Sequence, residues 1–362
     1  MLTDDQLATS RPAAARELTG RDEDRFLQVF MDQNNLCNLR CRMCAFSDPR
    51  LADLAKLQMP IELFEKIARE VFPHASYLTL SCLTEPLMSK DFPRRLDVLK
   101  RHPVPFAEMI TNGQLLNERV IRKIIEVPLT RIGVSIDGGT AETYEHIRRR
   151  ASFSRLIERL ELLARLKREM GSDRPVLRLL LVLSESNLHE FDDFLALAER
   201  LEAGAVDVRT IIPIRNAPDQ GTTESAFWAT VRRHRRRLDE WCERTGVENV
   251  GYIRETHEEI VLHHEDGSKR ICERPWSSAA IHFNGDVQIC STWQRDPVGN
   301  LARQSFEEIW HGEALAAVRR EFLERQPGID CQHCRIKNRS DDEEEDGFFK
   351  MLSKSLVPLE SP

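Results

Sequence analysis

The chain has 362 residues, which at about 150 residues per domain suggests two or three domains with buried cores. Hydrophobic residues make up 41% and charged residues 31%, the composition of an ordinary soluble globular protein. The 52 basic and 59 acidic residues give a formal net charge of −7, which disfavours a generally basic nucleic-acid-binding protein.

Six short apolar segments alternate with helical patterns between residues 25 and 212 and predict six β-strands. The predicted strands are residues 25–31, 77–81, 106–111, 131–136, 176–182 and 206–212. Strands that alternate with helices predict a parallel α/β sheet with right-handed crossovers, either open or closed into a barrel. In both cases the functional groups should follow the C-terminal ends of the strands.

Local signals also place turns and helix starts. Asn187 with Glu190, and Ser305 with Glu308, each predict a capping box at the start of a helix. Asn284-Gly285 predicts the turn of a β-hairpin within residues 280–290. Residues 225–244 show the pattern of a helix.

Neither a membrane span nor a secretory signal is predicted. The apolar runs, such as residues 179–183, are far shorter than the about 20 residues that a spanning helix needs. Residues 1–20 are polar and have no apolar core. Nine cysteines, an odd number, argue against a disulfide framework in such a chain. The sequence therefore predicts a cytoplasmic protein with neither a membrane nor a nucleic acid as partner.

The strongest chemical signal is Cys37-Asn-Leu-Arg-Cys41-Arg-Met-Cys44, a C-x3-C-x2-C spacing directly after the first predicted strand. One short loop with this spacing can ligate three corners of a [4Fe–4S] cluster. Three thiolates leave one iron without a protein ligand, where a small chelating molecule can bind. A structural zinc site is the alternative, but zinc prefers four closed ligands and no fourth thiol lies nearby in the sequence.

A second thiol set consists of Cys272, Cys290, Cys331 and Cys334. Four thiolates can saturate a second cluster, and such a cluster is suited to electron transfer instead of substrate binding. Four cysteines are also an ordinary structural zinc site, so zinc stays open for this set.

The first thiol motif and its place after the first strand resemble the radical S-adenosylmethionine (SAM) superfamily. The resemblance implies a partial (β/α)6 barrel in which SAM chelates the open iron of the [4Fe–4S] cluster. In that family one electron from the cluster cleaves SAM to a 5′-deoxyadenosyl radical, which abstracts hydrogen from the substrate. The family also implies a reducing electron donor of the flavodoxin or ferredoxin type.

Further segments resemble the SAM-binding parts of this family in the same order. Leu83-Thr84-Glu85-Pro86 is similar to its Gly-Gly-Glu-Pro segment, with Glu85 retained and both glycines replaced. Ser135 and Asn187 are also explained simply as turn or cap residues. Met43 replaces the family's usual aromatic residue, so its contact is expected through the backbone. The resemblance implies SAM contacts by Met43, Glu85, Asn112, Ser135, Asp137, Arg148 and Asn187.

The second thiol set resembles the SPASM/twitch extension of radical SAM enzymes. The supporting segments include Asn284-Gly-Asp-Val-Gln-Ile-Cys290 and Cys331-Gln-His-Cys334. No cysteine follows Cys334, so the resemblance is to the shorter twitch version with one auxiliary [4Fe–4S] cluster held by all four thiols. The expected domains are a polar extension at 1–24, the barrel at 25–215, a helical linker at 216–250, the auxiliary domain at 251–340 and an acidic, disordered tail at 341–362.

An auxiliary cluster offers a substrate radical an acceptor for its electron, which favours an oxidation. The leading expectation is a radical SAM oxidoreductase acting on a polar small molecule, such as a sugar or an aminocyclitol. A peptide or protein maturase is the alternative, and the few residues before the first strand lower the expectation of a fused recognition domain. If the chain is not an enzyme, the alternative is a zinc-binding adaptor.

Cys82 is the candidate for a catalytic thiol, because it lies between the second strand and Glu85. A thiol there could return a hydrogen atom to a substrate radical, which would make the enzyme an epimerase. A small buried core cysteine is the simpler interpretation.

Overall fold

The computed structural model describes residues 25–48, 55–81, 83–211, 225–251, 253, 272–291, 293 and 295–324. Cys82, Cys331 and Cys334 lie outside the described residues, as does the tail from residue 341. What the sequence predicts for these thiols and for the tail therefore stays a prediction.

Seven parallel strands, hydrogen-bonded in chain order, form the main part of the sheet. They are β1 (Leu27–Met31), β2 (Ala75–Thr79), β3 (Phe106–Thr111), β4 (Arg131–Ser135), β5 (Val176–Leu183), β6 (Ala205–Thr210) and the short β7 (Glu248–Asn249). The six predicted strands and the parallel α/β class are confirmed. β7 was not predicted, because two residues carry no periodic signal.

Helices follow the parallel strands. They are α1 (Ile61–Glu70), α2 (Phe92–Arg101), α3 (Glu118–Glu126), α4 (Ala141–Ile147), α5 (Phe153–Glu169), α6 (Phe191–Arg200) and α7 (Ser225–Thr245). Side-chain oxygens of Asn117, Thr140 and Ser152 accept backbone N–H groups and so cap α3, α4 and α5. The apolar faces of the helices join one buried core with the strands. Within the described ranges, no helix is long and apolar enough to cross a membrane.

The C-terminal segment continues the same sheet at the free edge of β1. It contains α8 (Arg274–Ser277), β8 (Ser278–Ile281), β9 (Asp286–Gln288), β10 (Gly299–Asn300), α9 (Phe306–Trp310) and α10 (Glu313–Leu323). β8 pairs in parallel with β1, and β9 and β10 add antiparallel strands. Gly285 occupies the predicted turn with φ 90°, and the capping box of Ser305 and Glu308 is present. This fusion of the C-terminal hairpin with the barrel sheet was not predicted.

The capping box predicted from Asn187 and Glu190 is wrong. The Glu190 carboxylate accepts the backbone N–H groups of Gly139 and Thr140 at 2.9 and 3.1 Å, as well as two threonine hydroxyls at the start of α4. Burial raises the pKa of Glu190, but these hydrogen bonds outweigh burial and leave the pKa below its ordinary value. Glu190 therefore caps a neighbouring helix instead of its own.

Buried charged side chains lie on the inner face of the barrel. Each of five strands carries an apolar residue that points outwards into the core beneath the helices, namely Leu78, Met109, Ile132, Leu179 and Val206. The alternate residues on these strands therefore point inwards.

The inward-pointing Arg178 of β5 crosses β4 to reach Glu108 of β3 at 3.2 Å, and it lies 3.8 Å from Asp207 of β6. Tyr77 of β2 donates to Glu108. The crossing passes closely over Gly133 of β4, where a Cβ would lie 3.0 Å from Arg178 Nη2.

Candidate cofactor site

The three cysteines of the first motif follow β1 and lie against the end of α4. Backbone N–H groups of Arg40 and Arg42 donate to the carbonyls of Arg149 and Ile147 at 3.1 and 2.9 Å, which fixes the loop to α4. Burial, with smaller contributions from the charges of Glu85 and the neighbouring Cys44, raises the pKa of Cys37 to about 11. Burial likewise raises the pKa of Cys41 to about 12. The thiols are therefore close enough to influence one another.

Nitrogen donors surround these thiols. The Leu39 N–H lies 3.5 Å from Cys37 Sγ, and Asn112 Nδ2 lies 3.9 Å from the same sulfur. Arg148 Nη1 lies 4.0 Å from Cys41 Sγ. Three neighbouring thiols with N–H groups and a cation aimed at them fit an anionic cluster held by Cys37, Cys41 and Cys44.

Arg148 joins the thiols to the end of β4. Its Nη2 lies 2.7 Å from Asp137 Oδ2, and the Asp137 side chain is fully buried. Burial lowers the pKa of Arg148, but the charges of Asp137 and Cys41 outweigh burial and hold that pKa above its ordinary value. Arg148 thus carries a permanent positive charge between a carboxylate and the thiol loop.

Glu85 lies buried beside the same loop. Its Oε1 accepts the Thr111 hydroxyl at 2.7 Å and the Leu87 N–H at 3.1 Å, and its Oε2 accepts the Asn112 N–H at 2.8 Å. Asn112 in turn donates to Asn38 Oδ1 at 2.9 Å. Glu85 and Asn112, which sequence analysis named separately, therefore form one connected unit with the thiol loop.

Burial raises the pKa of Glu85 from its ordinary value of 4.5 to about 7. Because the folded-state pKa is raised, the contribution of Glu85 to stability is fully present below pH 4.5 and is lost as the pH rises through about 7. We expect iron-free protein to lose on the order of 3 kcal/mol of unfolding free energy over this interval, relative to a Glu85→Gln variant. Denaturant titrations of both proteins at several pH values test this, and parallel pH profiles would contradict it.

A polar segment that sequence analysis missed ties the thiol loop to Glu85. Asp32 Oδ1 accepts the N–H groups of Leu83 and Thr84 and the Thr84 hydroxyl, at 3.0, 3.2 and 3.0 Å. Asn34 Nδ2 donates to the Glu85 carbonyl at 3.0 Å. The available signal was four consecutive polar residues, Asp32 to Asn35, directly after an apolar strand, and all four are buried.

Asp32 therefore fixes the turn in which leucine and threonine replace the family's two glycines. We predict that Asp32→Ala weakens SAM binding about tenfold, because three donors of this turn lose their acceptor. Asp32→Asn keeps an acceptor at Oδ1 and should restore most of the affinity. Equilibrium binding of SAM to cluster-loaded protein measures the effect, and wild-type affinity in the alanine variant would rule it out.

The remaining predicted SAM-binding residues are Asn187, Ser135 and Met43. The Asn187 amide donates to the carbonyls of Asp137 and Val182 at 3.1 and 2.8 Å and accepts the Ser184 N–H at 2.8 Å. It therefore fastens the end of β5 to the end of β4. Ser135, the last residue of β4, and Met43, between the second and third thiols, are both half-buried.

The second thiol set is described only in part. Cys272 lies two residues before α8, Cys290 lies two residues after β9, and both are half-buried. Cys331 and Cys334 fall beyond the last described residue, Glu324. In the described ranges no three His, Cys, Asp or Glu side chains are gathered closely enough to hold a single metal ion.

Two family models match the chain. The model for the radical SAM superfamily matches residues 34–198, and the SPASM model, described as an iron-sulfur cluster-binding domain, matches residues 272–335. Together the two domains imply SAM, a [4Fe–4S] cluster and an auxiliary cluster as cofactors.

Curated relatives match parts of the chain. The mycofactocin maturase MftC of Mycobacterium ulcerans is 29% identical over 171 residues, which are 46% of this chain and 42% of that protein. The AdoMet-dependent heme synthase of Methanosarcina barkeri is 31% identical over 124 residues, 34% of each protein. The chain thus spans less than half of the length of either relative.

Solved structures support the fold. Streptococcus suis SuiB bound to S-adenosylmethionine superposes with a TM-score of 0.63 at 14% identity, covering 84% of this chain and 69% of SuiB. The enzyme anSMEcpe with bound AdoMet gives 0.59 at 14% identity, covering 91% and 93%. At this identity the likeness shows a shared fold alone, and with the two family models it fits a partial radical SAM barrel followed by a SPASM domain.

Proposed function

Because the chain belongs to the radical SAM superfamily and carries a C-terminal SPASM domain, we propose that it modifies a peptide by abstracting hydrogen from it. The observation that carries the choice of substrate is the match to mycofactocin maturase in four curated relatives, joined by the fold shared with SuiB, which was solved bound to its precursor peptide SuiA. It favours the peptide maturase over the small-molecule oxidoreductase that sequence analysis ranked first.

The residues of the barrel mouth have distinct roles in this proposal. Cys37, Cys41 and Cys44 hold the cluster, and Arg148 balances the negative charge of the thiolates from 4.0 Å. When bound, the cluster supplies the electron that cleaves SAM, and hydrogen abstraction from the substrate follows. Glu85 positions the segment after β3, because its carboxylate holds Asn112 against the thiol loop.

The remaining assignments complete the proposal. Met43, Ser135, Asp137 and Asn187 are proposed to line the SAM site, with Asp137 acting through its ion pair to Arg148. Cys272, Cys290, Cys331 and Cys334 are proposed to hold the auxiliary cluster, which would accept one electron from the substrate radical. Cys82 is kept as the candidate hydrogen donor of an epimerisation.

Substrate class can be tested without knowing the substrate. Reduced enzyme is incubated with SAM and an extract of the source cells, and substrate-dependent 5′-deoxyadenosine is measured. One portion of the extract is first digested to amino acids with a nonspecific protease that is then removed. A peptide substrate predicts that digestion abolishes the stimulation, whereas an undiminished stimulation would support a small molecule, as the match to a heme synthase suggests.

A further inference from the structure

Three buried N–H donors lie on or against α8, the short helix that begins two residues after Cys272. They are Arg274 Nη1, Trp276 Nε1 and Arg319 Nη2, and none has a hydrogen-bond partner within the described part of the chain. A buried donor without an acceptor is unfavourable, because it has lost its hydrogen bonds to water. Three of them around one turn of helix indicate that an acceptor belongs there.

Arg319 of α10 is the most unusual of the three. Its side chain is buried, and it donates to two neutral carbonyls, those of Pro275 at 3.1 Å and Trp310 at 2.9 Å. Among the described residues no carboxylate pairs with it, whereas the equally buried Arg95 lies 2.9 Å from Asp91. Burial alone lowers the pKa of Arg319 to about 10.

A buried guanidinium without a counter-charge is strongly unfavourable, because the charge has lost its hydration. Arg319 contacts α8 through Pro275, three residues after Cys272. The Arg274 guanidinium, on α8 itself, lies 5.7 Å from the ring centre of Phe30 on the inner face of β1. Two cations therefore lie on or against the turn of helix that follows Cys272.

We propose that Arg319, Arg274 and Trp276 form the donor shell of the auxiliary cluster that Cys272 helps to hold, and that Arg319 stabilises its reduced state. A cluster with four thiolates is anionic and gains one more negative charge on reduction, so a nearby cation and N–H donors raise its reduction potential. A higher potential makes the cluster a better acceptor for the substrate's electron. The inference rests on the proposed ligation by Cys272 and not on the identity of the substrate.

The test uses full-length protein in which Cys37, Cys41 and Cys44 are replaced by alanine, so that only the auxiliary cluster remains. Its midpoint potential is measured by redox titration followed by EPR, without SAM or substrate. Arg319→Met is expected to lower the reduction equilibrium constant at least tenfold, which is 59 mV for one electron. Arg319→Lys keeps the charge and should recover part of the shift.

Arg320→Met is the matched control. Arg320 is the next residue on α10 and pairs with the exposed Glu313 at the surface, so its loss should leave the potential unchanged. Equal potentials in Arg319→Met and the control would overturn the inference.

A second measurement does not depend on the variants' stability. In protein grown with arginine labelled in its guanidinium nitrogens with ¹⁵N, pulsed EPR of the reduced cluster should show ¹⁵N coupling. Absence of coupling would contradict the inference, and the peptide proposal would remain unaffected by that result.

Discussion

Replacing Cys41 with alanine is expected to remove about half of the bound iron and to abolish SAM cleavage, because the first cluster loses one of three protein ligands. Cys41 is the most buried of the three thiols and lies beside Arg148. Iron and sulfide analysis of anaerobically prepared protein, together with 5′-deoxyadenosine measurement, tests both parts. The auxiliary cluster should keep its own iron.

Cys242→Ala is the matched control for this experiment. Cys242 lies half-buried on α7, distant in sequence from both thiol sets, and burial raises its pKa. Its replacement should leave iron content and SAM cleavage unchanged. Undiminished SAM cleavage in Cys41→Ala would show that the cluster is held by other residues.

Arg178→Met is expected to destabilise the fold by about 3–5 kcal/mol, the cost of breaking a buried ion pair by removing one partner. Without Arg178, Glu108 would retain the hydrogen bond from the Tyr77 hydroxyl, and Asp207 would retain its ion pair with Arg209 at 2.7 Å. The loss should appear as a lower midpoint in chemical denaturation of cluster-loaded protein.

Arg200→Met provides the comparison for that measurement. Arg200 pairs with Glu161 at 2.5 Å, but both side chains are exposed, and such pairs contribute about 0–1 kcal/mol. If both variants lost the same stability, the buried network inside the barrel would have no special role. If Arg178→Met lost no stability, the fold would tolerate the carboxylates of Glu108 and Asp207 without the positive charge of Arg178.

Local sequence signals were sufficient for the strands and for the thiol loop. Apolar runs such as residues 176–182 identified β5 because a parallel strand is buried on both faces. The spacing of Cys37, Cys41 and Cys44 needs only one loop, and this loop lies at the predicted end of β1.

Contacts between distant parts of the chain could not be predicted. Arg178 reaches Glu108 only because the β3–β4–β5 register brings them together over Gly133. Glu190 resembles a local cap in sequence but binds the start of α4, about 50 positions earlier. In both cases a long-range partner competes with the local pattern and replaces it.

The substrate class could not be inferred from the cluster ligands. The auxiliary thiols indicated electron acceptance, and from this an oxidised small molecule was inferred. Electron acceptance by a cluster does not distinguish a sugar from a peptide, since the cluster need not contact either one. The proposed choice of a peptide came from similarity to mycofactocin maturase over 171 residues and not from any single residue of the barrel.

The central claim is that the cluster at Cys37, Cys41 and Cys44 has one iron without a protein ligand, where SAM binds. The most direct measurement is EPR of reduced, oxygen-free protein carrying Cys272→Ala and Cys290→Ala, recorded with and without SAM. An open iron predicts a [4Fe–4S] signal that changes when SAM is added. A signal that ignores SAM, or no [4Fe–4S] signal at all, would contradict the claim.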